Sequence, residues 1–362
     1  MSDQELPYWI AFSVFPGIGP LRFTALTTRF GSARNAWRAK VTDIAGVIGP
    51  ALTAAFDRFR RGFDGASYAD RLKKLQIHPV SRVDPHYPQL LREIPDAPIL
   101  LYVRGQKYLP ALSAERTVAV VGTRRMTPYG RLVTESIVAG LVPYSVTVVS
   151  GLAFGIDAVA HRAALTGGLP TVAVLGCGVD IIAPPSNSSL YNDIVSGGGA
   201  VISEMPLGHR PAKGLFPSRN RIISGMSRGV VVTEGSDTSG SLITARYAAD
   251  QGRDVFAVPG PITSSLSRAP AILIKNGARL AESAEDIAEE LGFVRRNKPL
   301  SQAAPADATQ ATVINLLAEG PLQIDEIIRS SGLTSREIAA TLTLLEFAGL
   351  VKDLGGKLYS LV

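Results

Sequence analysis

The chain has one cysteine, four histidines and two tryptophans in 362 residues. A lone Cys177 excludes an intrachain disulfide and fits a reducing compartment. His78, His86, His161 and His209 are scattered, and with one cysteine they offer no ligand set for a structural zinc. No apolar run reaches the ~20 residues of a membrane helix. The start, MSDQELPYWIAF, is acidic before it is apolar, unlike a secretion signal. Together these absences point to the cytoplasm, away from membranes. Familiar nucleotide signatures are missing too. No G-x-x-x-x-G-K-[ST] occurs, which excludes a P-loop motor or recombinase. After Gly122 the next glycine is Gly130, so G-x-G-x-x-G is absent, and no acidic residue follows at the spacing that holds a ribose. NAD is therefore not expected, nor is any other cofactor. No paired-carboxylate cluster suggests a two-metal nuclease.

What is present is an ordinary globular composition, 46% apolar and 19% charged, long enough for two or three domains. The net charge is +6, and its placement matters more than its size. Residues 309–362 carry 4 Lys+Arg against 6 Asp+Glu, while residues 71–308 carry 25 against 19. The most informative basic stretch is GHRPAKGLFPSRNRIISGMSR (208–228). It holds Arg210, Lys213, Arg219, Arg221 and Arg228, no acid, and one aromatic, Phe216. Pro211, Gly214 and Pro217 make its first half a poor helix or strand. Cations beside an exposed ring suit a ligand with a charged backbone and flat faces, and single-stranded nucleic acid is such a ligand.

Four regions follow from the pattern. Residues 1–70 read as helical, and FPGIGPLRF and VIGPALTAAF resemble helix-hairpin-helix elements. Direct phosphate contact and a plain helical bundle both remain open there. Residues 71–292 form the main domain, entered through a Pro-rich, strand-bearing connector over 76–112. The runs TVAVVG, VTVVSG, TVAVLG, AVISE, GVVVTE and DVFAVPG are short, apolar and β-branched, with helical segments between most of them. They predict a doubly wound, Rossmann-like α/β fold whose parallel sheet has six or seven strands, with ligands at the carboxyl edge. Residues 293–308 read as a linker. Residues 309–362 give three amphipathic helices, a Thr334/Glu337 capping box and a Gly-Gly hairpin, which is a winged helix. Its mild acidity favours a protein contact or regulation over DNA readout.

The loops carry the chemistry. VGTRRMTPYG places Gly122, Arg124 and Arg125 before a helix starting near Pro128, an arrangement expected to offer backbone amides and fixed charge to an anion. SGLAFGIDAVAHRAAL brings Ser150, Asp157 and His161 close in sequence. A hydrolase triad is conceivable, but a dipole-stabilising Asp157 and a packing His161 fit better, since no G-x-S-x-G elbow exists. TEGSDTSGSLITA lines a further turn with hydroxyls after Glu234.

Taken in order, VGTRR, SGLAFGIDAVAHRAAL, TVAVLGCGVDIIAPPSNSSLYNDI, ISEMP, FPSRNRIISGMSRGVVVTEG, SGSLITA and GRDVFAVPG closely resemble the DprA/Smf family of DNA-processing proteins over roughly residues 76–290. The N-terminal helices and the winged helix resemble accessory domains of many members, the former of SAM or helix-hairpin-helix type. The resemblance implies a non-catalytic homodimer that binds single-stranded DNA and helps load the RecA recombinase during natural transformation. It carries the family's DNA pocket onto Arg124, Lys213 and Phe216, and onto Arg219, Asn220 and Arg221 of the same motif, one arginine of which is open to a structural role. The sequence departs from the family at Ala183-Pro184-Pro185, where Y-P is common, and at Arg268–Ala271, where Gly-x-Asn is common. The alternative is a nucleotide phosphoribohydrolase, with Glu234 and Arg219 or Arg221 polarising a glycosidic bond.

Overall fold

The computed structural model describes residues 5–212, 214–295, 308–318, 320–347 and 350–361. It divides into two compact units, residues 1–296 and 297–362.

In the first unit the short apolar runs become strands because they are β-branched and buried on both faces. β1 (Ile77–Ser81) and β2 (Leu100–Arg104) come from the connector. β3 (Thr117–Val121), β4 (Thr147–Ser150), β5 (Thr171–Val174), β6 (Ala200–Ser203), β7 (Gly229–Val232), β8 (Asp254–Ala257) and β9 (Arg279–Leu280) follow. The sheet order is β1-β2-β6-β5-β4-β3-β7-β8-β9. From β6 to β9 every pairing is parallel, while β1–β2 and β2–β6 are antiparallel. The expected Rossmann-like architecture is therefore present, extended by two antiparallel strands. Alternation along β3 sets the layers. Ala119 and Val121 pack with Ile222, Ile223, Ala245 and Ala248 of the helices Leu215–Gly225 and Gly240–Asp250. Val118 and Val120 pack with Ile137, Ala160 and Ile287 of the helices on the other face. β1 is one margin of the sheet and carries Pro79, opposite Tyr102; the other margin is the two-residue β9.

Six helices between Leu6 and Lys74 precede β1. Proline sits at the first turn of Pro20–Phe30 and Pro50–Gly62, where its missing N–H is harmless, and each follows a glycine. Their apolar faces gather Trp9, Phe12, Phe23 and Phe56, and this cluster runs on into Tyr102, Leu152, Tyr191 and Val201 of the sheet region. Hydroxyls join the two parts as well. Ser13 Oγ and the Tyr102 hydroxyl lie 2.7 Å apart, Tyr68 bonds Tyr102 at 3.3 Å, and the Leu207 amide donates to Tyr68 at 2.9 Å. Residues 1–70 thus share one core with the strands across the sequence boundary at 70/71. Packing also continues past position 292. Phe293 is buried, and Arg295 bonds Tyr144 and Glu285. Residues 296–307 of the expected linker lie outside the described residues, and Ala308 begins a helix.

In the second unit, helices Ala308–Leu317, Ile324–Ser331 and Ser335–Phe347 pack on a small sheet of β10 (Leu322–Gln323), β12 (Leu358–Leu361) and β11 (Val351–Asp353), in that order. Thr334 and Glu337 form the capping box: the Thr334 amide and hydroxyl both donate to the Glu337 carboxylate, at 2.8 and 2.6 Å. Gly355 and Gly356 supply the positive φ angles of the hairpin turn, 97° and 64°.

Phe12 is fully buried and lies 5.2 Å from both Phe23 and Phe56, centroid to centroid. Phe12→Ala should cost about 3–5 kcal/mol of stability in a urea titration. A loss under 1 kcal/mol would show that the aromatic cluster is not part of the cooperative core.

Candidate nucleic-acid interface

The strand order reverses at β3, which has β4 on one side and β7 on the other. Loops leaving β3 and β7 diverge, and in such sheets ligands bind in the resulting crevice. Here the crevice measures about 660 Å³. Gly122, Arg124 and Arg125 line it from the loop after β3, Ala153 from the loop after β4, and Ser236, Ser239 and Gly240 from the loop after β7. Arg219 and Asn220 enter from the helix Leu215–Gly225. Five of the eight residues expected from the sequence therefore meet in one place. Arg124 and Arg125 are exposed at its rim. Gly122 is needed for close packing, since a Cβ there would come within 2.6 Å of Ile156 and 2.8 Å of the Glu234 carbonyl oxygen. Lys213 and the side chain of Phe216 lie outside the described residues.

Three expectations need correction. The first concerns the amides after Gly122. The Thr123 amide donates to the Glu234 carbonyl at 2.7 Å, the Arg125 amide to Thr123 Oγ1 at 3.1 Å, and the Thr127 amide to Glu234 Oε2 at 2.9 Å. Thr127 Oγ1 accepts from the Gly130 amide at 3.1 Å and donates to Glu234 Oε1 at 2.6 Å. The helix Pro128–Gly140 thus has an internal anion at its start, the buried Glu234 carboxylate, which fits because Gly130 lacks a Cβ. These amides do not await a phosphate.

The second and third concern Arg219 and Arg221, which the family motif placed in the DNA pocket with one of the two open to a structural role. Arg219 is only 5% exposed. Its Nη1 donates to the Gly151 carbonyl at 2.8 Å and to the Val174 carbonyl, joining the ends of β4 and β5, and its Nε donates to Asn220. Gly151 makes the space, because a Cβ there would lie 2.5 Å from Nη2. Burial pushes the Arg219 pKa down while the nearby Asp157 opposes the shift. Asp157 is itself buried, and its Oδ2 accepts from the Gly151 and Ala153 amides at 3.1 and 3.4 Å. Arg221 instead bonds Asp96 at 2.9 Å and Glu204 at 2.6 Å with its side chain 8% exposed. A guanidinium in either setting holds the scaffold.

Neither catalytic constellation forms. Ser150 Oγ donates to the Val120 carbonyl, and His161 Nδ1 pairs with Thr171 Oγ1 at 2.7 Å, so Ser150, His161 and Asp157 do not form a triad. The Glu234 oxygens are engaged by Thr127, and the pairing with Arg219 or Arg221 that glycosidic cleavage would need is not made. Asn187 was missed by the sequence reading. Its Nδ2 donates to the Leu152 and Ala153 carbonyls at 3.0 and 3.4 Å, from a polar stretch with no distinguishing spacing. At the divergent segment, Arg268 is exposed at the start of the helix Arg268–Lys275, while the Ala269 amide donates to the Gly235 carbonyl at 2.8 Å. A larger cavity, about 1020 Å³, lies between the first helix and β1. It is mostly apolar and away from the carboxyl edge, so it is not the site the fold prepares.

The family model for DNA recombination-mediator protein A matches residues 78–292, and that for the DprA winged helix domain matches residues 297–357. The chain belongs to the DprA/Smf family. Protein Smf of Synechocystis sp. is 33% identical over 398 residues, covering 99% of each chain. The X-ray structure of DNA processing protein A from Streptococcus pneumoniae matches with a TM-score of 0.69 at 37% identity, over 78% of this chain and 96% of that one. DNA processing protein A from Helicobacter pylori, described for its single-stranded DNA binding mode, matches with a TM-score of 0.54 at 28% identity, over 60% and 96%. In this DprA/Smf chain, no described helix is long and apolar enough to cross a membrane.

Two outcomes follow. Arg219→Met strands the buried Asp157 and should cost about 3–5 kcal/mol in urea unfolding; a neutral result would remove Arg219 from the scaffold. His161 is held neutral, its pKa pulled down to about 3 chiefly by burial. The unfolded chain takes up that proton near pH 6.5, so the stability it confers is whole above about 6.5 and falls by up to ~1.4 kcal/mol per pH unit below. His161→Gln should flatten stability against pH between about 6 and 4, and an unchanged slope would refute a neutral histidine.

Proposed function

We propose that this protein binds single-stranded DNA in the crevice at the carboxyl edge, without sequence readout and without hydrolysing it. The reading is carried by one observation: two adjacent exposed arginines, Arg124 and Arg125, stand at the rim of the crevice where the strand order reverses. Lys213 and Phe216, from the neighbouring basic segment, complete the pocket in this reading, with Gly122 and Asn220 shaping its wall. Cations hold phosphates, and Phe216 stacks on a base. Duplex DNA hides its base faces, which gives a strand preference. The Helicobacter pylori relative's description supports the same ligand.

The family role belongs to the same proposal. The protein forms a homodimer, works in the cytoplasm, and passes the strand to the RecA recombinase in DNA uptake or recombination. Two pockets on one strand raise avidity through effective concentration.

Fluorescent dT oligomers and a matching duplex provide the test. Single strands should bind more tightly, with a log–log salt slope of about −2 for three cationic contacts at ~0.7 each. Arg124→Ala or Lys213→Ala should reduce that slope by about 0.7. Phe216→Ala should weaken binding by about 1–3 kcal/mol and leave the slope unchanged. Equal affinity for duplex and single strand would overturn the reading.

A further inference from the structure

The loop between β4 and the helix Ile156–Thr166 is pinned along its length. The Gly151 and Ala153 amides donate to Asp157, and the Leu152 and Ala153 carbonyls accept from Asn187. The Gly151 carbonyl accepts from Arg219, and the Ile156 amide donates to the Thr123 carbonyl at 3.2 Å. Leu152 is fully buried and holds a positive φ of 54°, a conformation rare for a branched side chain. Gly155 follows at φ 74°, where a Cβ would come within 2.9 Å of the Arg124 backbone. Between them stands Phe154. Among the phenylalanines whose side chains are described it alone is exposed, with 50% of its surface open.

Such constraint matters because a fixed backbone removes the freedom by which an apolar ring tucks itself away. The exposed Phe154 stands in the chain between Ala153, which lines the crevice, and Gly155, which packs on the backbone of Arg124. A flat apolar face on a loop packed against the cation-bearing loop offers the two kinds of contact that unpaired nucleic acid takes up, stacking and charge. Pre-ordering of the loop reduces the entropy lost when a ligand lands on it.

We propose that Phe154 is a further base-stacking platform, engaging a nucleotide beyond those held within the crevice. This rests on the single-strand reading above and adds a residue that the sequence motifs did not single out. It also extends the footprint, because a second stacked base lengthens the segment one protomer orders.

The test uses the full chain with dT oligomers, matching oligomers of abasic sugars, and the variants Phe154→Ala and Phe154→Leu. On dT, both variants should bind about tenfold or more weakly, since Leu keeps the apolar bulk but loses the ring. On abasic oligomers, wild type and variants should bind alike, because no base is present to stack. The salt slope should not change with either variant. Phe154→Trp should restore binding on dT. An unaltered affinity of Phe154→Ala for dT overturns the proposal while leaving the single-strand reading intact. An equal loss on dT and abasic oligomers, or a shift in oligomeric state accompanying the loss, also overturns it, making Phe154 a structural or subunit-contact residue. If the wild-type chain binds no single strand at all, the parent reading fails and this one with it.

Discussion

A guanidinium buried beneath the strand ends organises this molecule. Arg219 bonds carbonyls at the ends of β4 and β5 and sits by the buried Asp157, which in turn gathers the amides of the loop above. Ionisable groups removed from water are tolerated only when their donors and acceptors are met. That requirement reaches outward. It makes Gly151 necessary, it fixes the path of residues 151–155, and it sets the crevice wall on which Arg124 rests. The outer cations stand exposed above that platform.

The two arginines of the FPSRNR motif show why a linear motif does not reveal roles. Arg219 and Arg221 are two positions apart on one helix, roughly 200° around its axis. One therefore reaches inward under the crevice while the other turns to Asp96 and Glu204 on a different flank. Neither direction is written in the residue type. Arg124 and Arg125, by contrast, lie on the loop after β3, and both reach solvent.

Much of the architecture was legible. Runs such as TVAVVG and GVVVTE are too short for helices and too apolar for exposed strands, so a parallel sheet was their natural home, and the C-terminal helices with a Gly-Gly hairpin named their own fold. Less legible were contacts between residues distant in the chain. Glu234 binds Thr127, the residue that caps a helix start 107 positions before it, and no local pattern announces that a strand-end acid will take the place of a bound anion. The helices before β1 likewise displayed an apolar face without disclosing its partner. Only the folded chain shows that Phe12 and Tyr102 belong to the same core.

The margins of the sheet have a consequence for assembly. A proline within β1 withholds a backbone donor from any newcomer on that side, and the opposite border is only two residues long. Neither rim can template a strand from another copy, so end-to-end polymerisation into ribbons is disfavoured. Any contact between copies is then left to helices and loops.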